Sequence, residues 1–252
     1  MSFRDLFLTA VATFIFTTMG IHPGIASGDT FDKAKKAAIE TIIHDYLLAN
    51  PEVLFQSIGE YRKRQEQTAK RSIKQKLAGM SDILLHNPGS PVGGNIKGDV
   101  SIVEFFDYRC PYCKKVFPDI QQLLKEDGNI RYVLKELPIL GQMSVIATRA
   151  SLAAWSVEPG KYAALHAALM TSRGQLDEAR IFKYVKQAGY DVEAIRSKMK
   201  APAVETEIRT NSRLAQELNI NGTPAFVIGD HVVPGVVDME TMKQLIAAAR
   251  KR

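Results

Sequence analysis

Two apolar runs with a helical pattern between them stand in the middle of the chain. Residues 100–106 and 130–136 are hydrophobic runs of β type, and apolar side chains recur at helical spacing between them. A turn signal, Asp-Gly-Asn at 127–129, precedes the second run. The pattern predicts a β-α-β unit with parallel strands and a right-handed crossover. Because the first run is apolar on both faces, we expect a central strand covered by helices.

The remainder of the C-terminal half is predicted to be mostly helical. Helical patterns cover 143–156, 161–172, 176–188, 191–200 and 203–218. A strand is expected to begin at Pro224, another near 232–233, and a last helix to run over 239–250. Within the helical block, His166 and Met170 are interpreted as packing residues rather than ligands.

The first 26 residues are predicted to be a cleaved secretory signal. Arg4 precedes an uncharged stretch over 6–21, and Gly24-Ile25-Ala26 supplies small residues where a signal peptidase cuts. The stretch is short for a membrane span, which needs roughly 20 apolar residues, so an uncleaved anchor is the less favoured alternative. Export predicts the periplasm as the location, since disulfide chemistry persists in such oxidising compartments.

Two amphipathic helices are predicted next, over 31–48 and 51–85. Asn50 is expected to cap the second helix, and Pro51 suits its first position. A cluster of turn residues over 87–95 then predicts a domain boundary. The chain has 252 residues, of which 46% are hydrophobic, enough for one large domain and a smaller one.

The second helix carries two apolar patches. Residues 53–61 form one, and Ile73, Leu77, Met80 and Leu84 form another at the spacing of a short heptad seam. Two such helices carry too little apolar surface to form a core by themselves, so the patches suggest association between copies of the chain.

A basic run begins directly after the first patch and reaches into the second. Residues 62–76 hold seven basic side chains and one acidic, a local charge of +6 that equals the net charge of the chain. Such a run is typical of a solvated helix face, and nucleic acid is not an expected partner of an exported protein. An anionic membrane surface is disfavoured because the aromatic face of interfacial helices is missing. We interpret the segment as a solvated helical connector.

The two cysteines of the chain, Cys110 and Cys113, form a Cys-Pro-Tyr-Cys motif directly after the first apolar run. With Pro111 at the first helical position, Cys110 would lie on the free N–H groups and the positive end of a helix. That position and the neighbouring Arg109 should lower the pKa of Cys110 and make it the attacking, accessible thiolate. Cys113, one turn further on the same face, would be the buried resolving thiol.

Other roles of this pair are less favoured. A structural zinc site needs four ligands, and no second cysteine pair is present. A structural disulfide across so short a loop would stabilise the fold little. Cu(I) binding by the two thiolates stays an alternative function, although no Met-rich or His-rich cluster lies near them. The pair is predicted to be a redox-active dithiol that needs neither cofactor nor metal.

The residues around the motif resemble a known family. Glu-Phe-Phe-Asp-Tyr-Arg-Cys-Pro-Tyr-Cys-Lys at 104–114 resembles the active-site strand and helix of DsbA-like thiol-disulfide oxidoreductases, and Asn-Gly-Thr-Pro-Ala-Phe-Val at 221–227 resembles their cis-proline loop. The resemblance covers about residues 90–250. It implies an α/β fold, namely a thioredoxin-like fold with an inserted helical domain at about 141–202. It also implies a cis bond before Pro224.

The resemblance also suggests roles for single residues. Strand alternation places Glu104 on the face of Ile102 and Phe106, so its carboxylate should be at least partly buried. DsbA-like proteins carry a buried acid at this place beside the resolving thiol. We therefore predict Cys110, Cys113, Glu104, Thr223 and Pro224 as catalytic residues. The predicted substrate-binding residues are Pro111, Tyr112, Thr223 and Pro224.

A shorter segment resembles a second group of proteins. Asp-Tyr-Leu-Leu-Ala-Asn-Pro-Glu-Val-Leu-Phe at 45–55 is similar to the N-terminal region of suppressor-of-copper-sensitivity C (ScsC) proteins, some of which are trimeric disulfide isomerases. We therefore expect an N-terminal helical oligomerisation module at 29–88, before a catalytic domain at 89–252. The resemblance implies an oligomeric disulfide isomerase or reductase, with a trimer favoured. A monomeric DsbA-type dithiol oxidase is the alternative.

The expected partners follow from this interpretation. They are unfolded or misoxidised exported proteins, a membrane redox partner that resets the Cys110–Cys113 pair, and further copies of the chain.

Overall fold

The computed structural model describes residues 32–251, which divide into two compact units. The first ends at Glu60 and the second begins at Tyr61. The predicted signal at 1–26 lies outside the described residues, and the domain boundary predicted at 88/89 stays a prediction. Within residues 32–251, no helix combines the length and the apolar composition that crossing a bilayer requires.

The helices are α1 (Lys33–Ala49), α2 (Glu52–Gly79), α3 (Ser81–Leu85), α4 (Pro111–Glu126), α5 (Gln142–Val157), α6 (Tyr162–Met170), α7 (Glu178–Gln187), α8 (Val192–Lys198), α9 (Pro202–Glu217) and α10 (Met239–Arg250), and a 3-10 turn covers Pro159–Lys161. The strands are β1 (Val92–Gly94), β2 (Val100–Phe106), β3 (Ile130–Glu136), β4 (Ala225–Ile228) and β5 (His231–Pro234). The predicted strands 100–106 and 130–136 agree with β2 and β3. The predicted helix at 51–85 is divided into α2 and α3.

The first unit exposes apolar side chains. Asp32 caps α1, its carboxylate accepting from the backbone N of Lys35 at 2.8 Å, yet no residue of this helix is buried. Ile42 is 67% exposed and Phe55, in α2, is 75% exposed. Asn50 differs from prediction, because its side chain donates back to the carbonyl of Tyr46 at 2.9 Å and so ends α1 instead of capping α2.

The second unit is built on a five-stranded sheet in the order β1-β3-β2-β4-β5. β2 and β3 are parallel, from Val100 opposite Ile130 to Phe106 opposite Glu136, as the β-α-β pattern predicted. β4 runs antiparallel on the other side of β2. β1 was not predicted, since its Gly-Gly sequence carries no apolar pattern. A Cβ at Gly94, where φ is 64°, would lie 2.5 Å from the carbonyl oxygen of Ile130.

Helices cover both faces of this sheet. One core contains Ile102 and Phe106 together with side chains of α4, α5, α6 and α10. The other contains Val103 and Phe105, against which Leu77 of α2 and Leu84 of α3 are buried. The interpretation of this second apolar patch as a seam between copies is therefore wrong. The spacing of Ile73, Leu77, Met80 and Leu84 is that of any amphipathic helix that packs on a core. Here these side chains pack on the sheet of the same chain.

Buried polar contacts hold the segment after α3 on the same face. The ammonium of Lys135, which has no exposed surface, donates to Ser90 Oγ at 2.7 Å and to the Ile83 carbonyl at 2.9 Å. Glu207 of α9 lies 4.0 Å from this ammonium and accepts from Ser90 Oγ at 2.6 Å. Each buried charge therefore has a polar partner, as burial of a charge requires. Through these contacts Lys135 of β3 is joined to α3 and, through Ser90, to α9.

Substitution of Leu84 tests the assignment of the second patch to the core. Leu84→Ala should lower the free energy of unfolding by about 2–4 kcal/mol, since Leu84 is 2% exposed and its truncation leaves a cavity. Ile96→Ala, at a side chain that is 71% exposed, should cost less than about 0.5 kcal/mol. Urea unfolding followed by circular dichroism measures both. Equal costs would contradict the assignment.

Candidate active site

The turn between β2 and α4 holds the first cysteine at a helix N-terminus. The backbone N of Cys110 donates to the carbonyl of Asp107 at 3.0 Å. Cys110 has the extended backbone of an N-cap residue, and Pro111 occupies the first turn of α4. The backbone N of Cys113 donates to Cys110 Sγ at 3.4 Å. The sulfur thus takes the place of a capping oxygen, as the spacing predicted.

The loop before β4 closes the site from the other side. The Thr223–Pro224 peptide bond is cis, as the resemblance implied. The thiol of Cys110 donates to the carbonyl of Thr223 at 3.2 Å. Because β4 pairs with β2, with Ala225 opposite Phe105, this carbonyl lies beside the end of the strand that leads to Cys110.

The pKa values of the two thiols shift in opposite directions. A hydrogen bond from the side chain of Cys113 lowers the pKa of Cys110 to about 6, although burial opposes this. Hydrogen bonds from the side chain of Thr223 and from the backbone N–H groups of Cys113 and Tyr112 add to the lowering. The hydrogen bond to Cys110, burial and the charge of Glu104 raise the pKa of Cys113. Cys110 is therefore the group that ionises near neutral pH.

Two expectations about the nucleophile need correction. Cys110 is more enclosed than an accessible thiolate suggests, with 3% exposure, whereas Cys113 has none. The lowered pKa of Cys110 comes from hydrogen bonds to its sulfur rather than from the charge of Arg109. The guanidinium of Arg109 instead donates to the carbonyl of Leu140.

Glu104 is buried beneath the thiols, with 2% exposure. Burial raises its pKa to about 8, against the lowering effect of a hydrogen bond from Tyr132, and the charge of Cys110 adds to the rise. The Tyr132 hydroxyl donates to Oε2, while Oε1 has no hydrogen-bond partner among the described residues. Glu104 is thus mostly protonated at neutral pH, and its ionised fraction can accept a proton.

The sequence did not single out three residues that shape this site. Tyr132 lies on β3 opposite Ile102, on the same face as Glu104, and this register was not available from the strand pattern. Asp107 binds backbone N–H groups of two loops. The hydroxyl of Tyr108 lies 2.7 Å from Ser151 Oγ and 3.1 Å from His166 Nδ1. Nothing in a local pattern reports such long-range partners.

The two helical residues interpreted as packing residues do pack. His166 is 4% exposed and Met170 is 1% exposed. Aromatic rings of Phe106 and Phe117 contact the imidazole edge to face. Burial lowers the pKa of His166 to about 3, which keeps the imidazole neutral.

The site therefore brings together Cys110, Cys113, Glu104, Thr223 and Pro224. Pro111 and Tyr112 lie at its rim, and Tyr112 is 60% exposed. Across residues 32–251, no group of three or more His, Cys, Asp or Glu side chains is arranged to hold a metal ion. The individual roles of these residues in catalysis and substrate binding stay predictions.

Family models match most of the described chain. Residues 101–247 match the model of the DSBA-like thioredoxin domain. The chain belongs to this family. Residues 36–68 match the model of the copper resistance protein ScsC N-terminal domain. Both resemblances noted from the sequence are thereby confirmed.

Solved structures with the same fold span the chain to different extents. A thioredoxin-like oxidoreductase from Silicibacter pomeroyi is 43% identical with a TM-score of 0.65, over 68% of this chain and 98% of its own. Proteus mirabilis ScsC in a transitional conformation is 29% identical with a TM-score of 0.65, over 88% of this chain and 99% of its own.

Curated relatives differ in length. The thiol:disulfide interchange protein DsbA of Bordetella parapertussis is 26% identical, over 66% of this chain and 84% of its own. The Na(+)/H(+) antiporter NhaA 1 of Salinispora arenicola is 25% identical over 68% of this chain, but the chain spans only 26% of that protein.

Alkylation of the reduced protein tests the electrostatics of the thiols. The rate of iodoacetamide labelling of Cys110 should rise with pH through a midpoint at about 6. Cys113→Ala removes the main hydrogen bond to the thiolate, so the midpoint should move up towards the ordinary cysteine value of about 8.5. Peptide mass mapping identifies the labelled cysteine. Faster labelling of Cys113, or an unchanged midpoint in Cys113→Ala, would refute this account.

Proposed function

We propose that this chain is a thiol-disulfide oxidoreductase that exchanges disulfides with other proteins through Cys110 and Cys113. The observation that carries the proposal is the position of Cys110 Sγ, which is 3.2 Å from the Thr223 carbonyl and accepts from the backbone N of Cys113. The N–H of Cys113 favours the thiolate. The contact with Thr223 places the sulfur beside a strand end at which a substrate chain can lie.

Reduction of a substrate begins at Cys110. Its thiolate attacks one sulfur of a substrate disulfide, which forms a mixed disulfide and releases the other substrate sulfur as a thiolate. Cys113 then attacks Cys110 Sγ, which forms the Cys110–Cys113 disulfide and releases the second substrate thiolate. Two electrons pass from the pair to the substrate, and the reverse sequence oxidises a substrate dithiol.

Glu104 takes the proton that Cys113 must lose. The raised pKa of Cys113 makes its thiol a poor nucleophile until a base accepts the proton, and the charges of Glu104 and Cys110 both act on this thiol. In the mixed disulfide the sulfur of Cys110 is bonded to the substrate, which leaves Glu104 as the base. With a pKa of about 8, Glu104 can accept this proton and also return it when the disulfide is reduced. Its unpartnered oxygen is available for that transfer.

Within this class, we assign the protein to the periplasmic isomerases that act as oligomers. The match of residues 36–68 to the ScsC N-terminal domain and the exposed apolar side chains of α1 support a surface that joins copies of the chain. Isomerisation needs a substrate thiolate to attack the substrate sulfur of the mixed disulfide, which makes a new substrate disulfide and frees Cys110. Several active sites in one assembly raise the local thiolate concentration.

Trapping of the mixed disulfide tests the activity itself. Cys113→Ser cannot resolve the intermediate, so it should accumulate covalent adducts with substrate proteins, whereas Cys110→Ser should form none. Non-reducing gel electrophoresis after incubation with scrambled ribonuclease measures this. Equal adducts from both variants, or none from either, would reject the proposed function.

Substitution of Glu104 tests the proton transfer. Glu104→Gln should slow resolution of the mixed disulfide by at least about 100-fold at neutral pH, since the base is lost. In the unsubstituted protein the rate should rise with pH through about 8, the pKa of Glu104, and this rise should be absent from the variant. Rapid-quench kinetics on a preformed mixed disulfide measures both.

Stability provides the control for that experiment. Burial raises the folded-state pKa of Glu104 from 4.5 to about 8, so its contribution to stability is complete below pH 4.5 and is lost as pH rises through about 8. Glutamine has no proton to lose, and Glu104→Gln should be at least as stable at neutral pH. An unchanged resolution rate in a stable variant would remove Glu104 from the mechanism.

Charged substitutions on the first unit test the oligomer. Ile42→Asp with Phe55→Asp should convert a trimer into a monomer that keeps dithiol oxidation and loses most isomerisation of scrambled ribonuclease, whereas Ile96→Asp should change neither. Light scattering gives the mass. Point substitutions are preferable to deletion of 29–88, because that deletion would also remove Leu77 and Leu84 from the core. A monomeric parent protein would favour the oxidase alternative.

A further inference from the structure

Two cations of the second unit lie close to each other, one of them on the helix that carries the thiols. Lys114 follows Cys113 in α4, Arg180 belongs to α7, and both are partly buried. Burial, and then the charge of Arg180, lower the pKa of Lys114, while Asp107 acts more weakly in the other direction. Within residues 32–251, neither cation forms a salt bridge with a carboxylate. Because like charges repel at short range, an anion beside the pair would stabilise both.

The loop between α6 and α7 holds both charged groups in place. The ammonium of Lys114 donates to the carbonyl of Ser172 at 2.8 Å and to its Oγ at 2.6 Å. The guanidinium of Arg180 donates to the carbonyl of Arg173 at 2.5 Å. Among the described residues these partners are neutral, and they leave N–H donors of both groups for a further acceptor. The two cations are therefore fixed in position and still able to bind an anion.

This arrangement lies one helical turn from the reactive sulfur. The backbone N of Lys114 donates to the carbonyl of Cys110 at 3.1 Å, and side chains four residues apart lie on the same face of a helix. Arg173, on the loop, has an exposed side chain. We call Lys114, Arg173 and Arg180 the cationic cluster. Since hydrogen bonds to the sulfur lower the pKa of Cys110, the cluster is not needed to form the thiolate, and its charge can act on a molecule that approaches it.

We propose that the cationic cluster binds an acidic side chain of the substrate near the substrate cysteine, so that disulfides flanked by aspartate or glutamate are preferred. The inference rests on the proposed disulfide exchange and adds the substrate class, protein segments with carboxylates close to their cysteines. A carboxylate accepts charge-assisted hydrogen bonds from the remaining donors and offsets the repulsion between Lys114 and Arg180. These contacts form on binding and do not involve the reacting sulfurs, so the cluster acts mainly on KM.

Two matched peptide disulfides test this with the full-length reduced protein at low ionic strength. One is a disulfide-linked dimer of a short peptide with glutamate two residues before and two residues after its cysteine, and the other has glutamine at both places. The value of kcat/KM should be about tenfold higher for the glutamate peptide, through KM, and this preference should shrink as added salt screens the charges.

Charge substitutions identify the residues that cause the preference. Arg180→Gln should reduce the ratio of the two kcat/KM values by about threefold, the size of one partly exposed ion pair, whereas Arg180→Lys should keep most of the ratio. Arg173→Gln should also reduce it, and this change leaves the backbone carbonyl that holds Arg180 in place. Lys125→Gln is the matched control, because it removes an exposed charge in the last turn of α4, and it should leave the ratio as it is.

The alkylation midpoint of Cys110 separates substrate binding from activation of the thiolate. In Arg180→Gln it should stay at about 6, as in the parent protein, because the hydrogen bonds to the sulfur are unchanged. A higher midpoint in this variant would mean that the cluster stabilises the thiolate, and it would overturn the inference.

The ratio itself has four contrary outcomes. An equal loss in Lys125→Gln would assign the preference to the net charge of +6 of the chain, and an equal loss in Arg180→Lys would assign it to packing. Should Arg180→Gln fail to fold, an unchanged ratio in Arg173→Gln overturns the inference. A parent protein that reduces both peptides equally removes the inference but keeps the proposed function, whereas one that reduces neither peptide rejects both.

Discussion

The antiparallel pairing of β4 with β2 is the constraint on which the active site depends. It sets Ala225 opposite Phe105, so Thr223 and the cis proline after it lie beside the end of the strand that leads to Cys110. Cys110 and Thr223 are 113 residues apart in sequence. Closing so long a loop costs conformational entropy, which the buried sheet between the helical layers offsets. A change that loosened this pairing would separate the sulfur from its carbonyl partner.

Burial determines which groups of the second unit carry charge. Desolvation raises the pKa values of Glu104 and Glu136 to about 8, so both carboxyl groups hold a proton at neutral pH. Lys135 and Glu207 are also buried, but they are paired through Ser90 and lie on the opposite face of the sheet. Glu104, which has no basic partner, is therefore chemically distinct from the Lys135–Glu207 pair on the other face.

The turn that carries the nucleophile is held from two directions. Asp107 binds it to the segment that follows β3, and Tyr108 binds it to α5 and α6 through Ser151 and His166. The imidazole stays neutral in its aromatic surroundings, so this second anchor does not change with pH in the range in which Cys110 ionises. Rigid supports of this kind keep reacting atoms in place, which the proposed disulfide exchange requires.

The sequence by itself determined the local elements and the identity of the reactive pair. Strands 100–106 and 130–136 and the helix start at Cys110 were predictable, because side-chain period, turn residues and a proline at the first helical position act over a few residues. Tertiary structure alone decided that Leu77 packs on the chain's own sheet and that Tyr132 binds Glu104. Helical spacing is the same whether the partner face belongs to this chain or to another, and a hydrogen bond between strands depends on register, which no local pattern encodes.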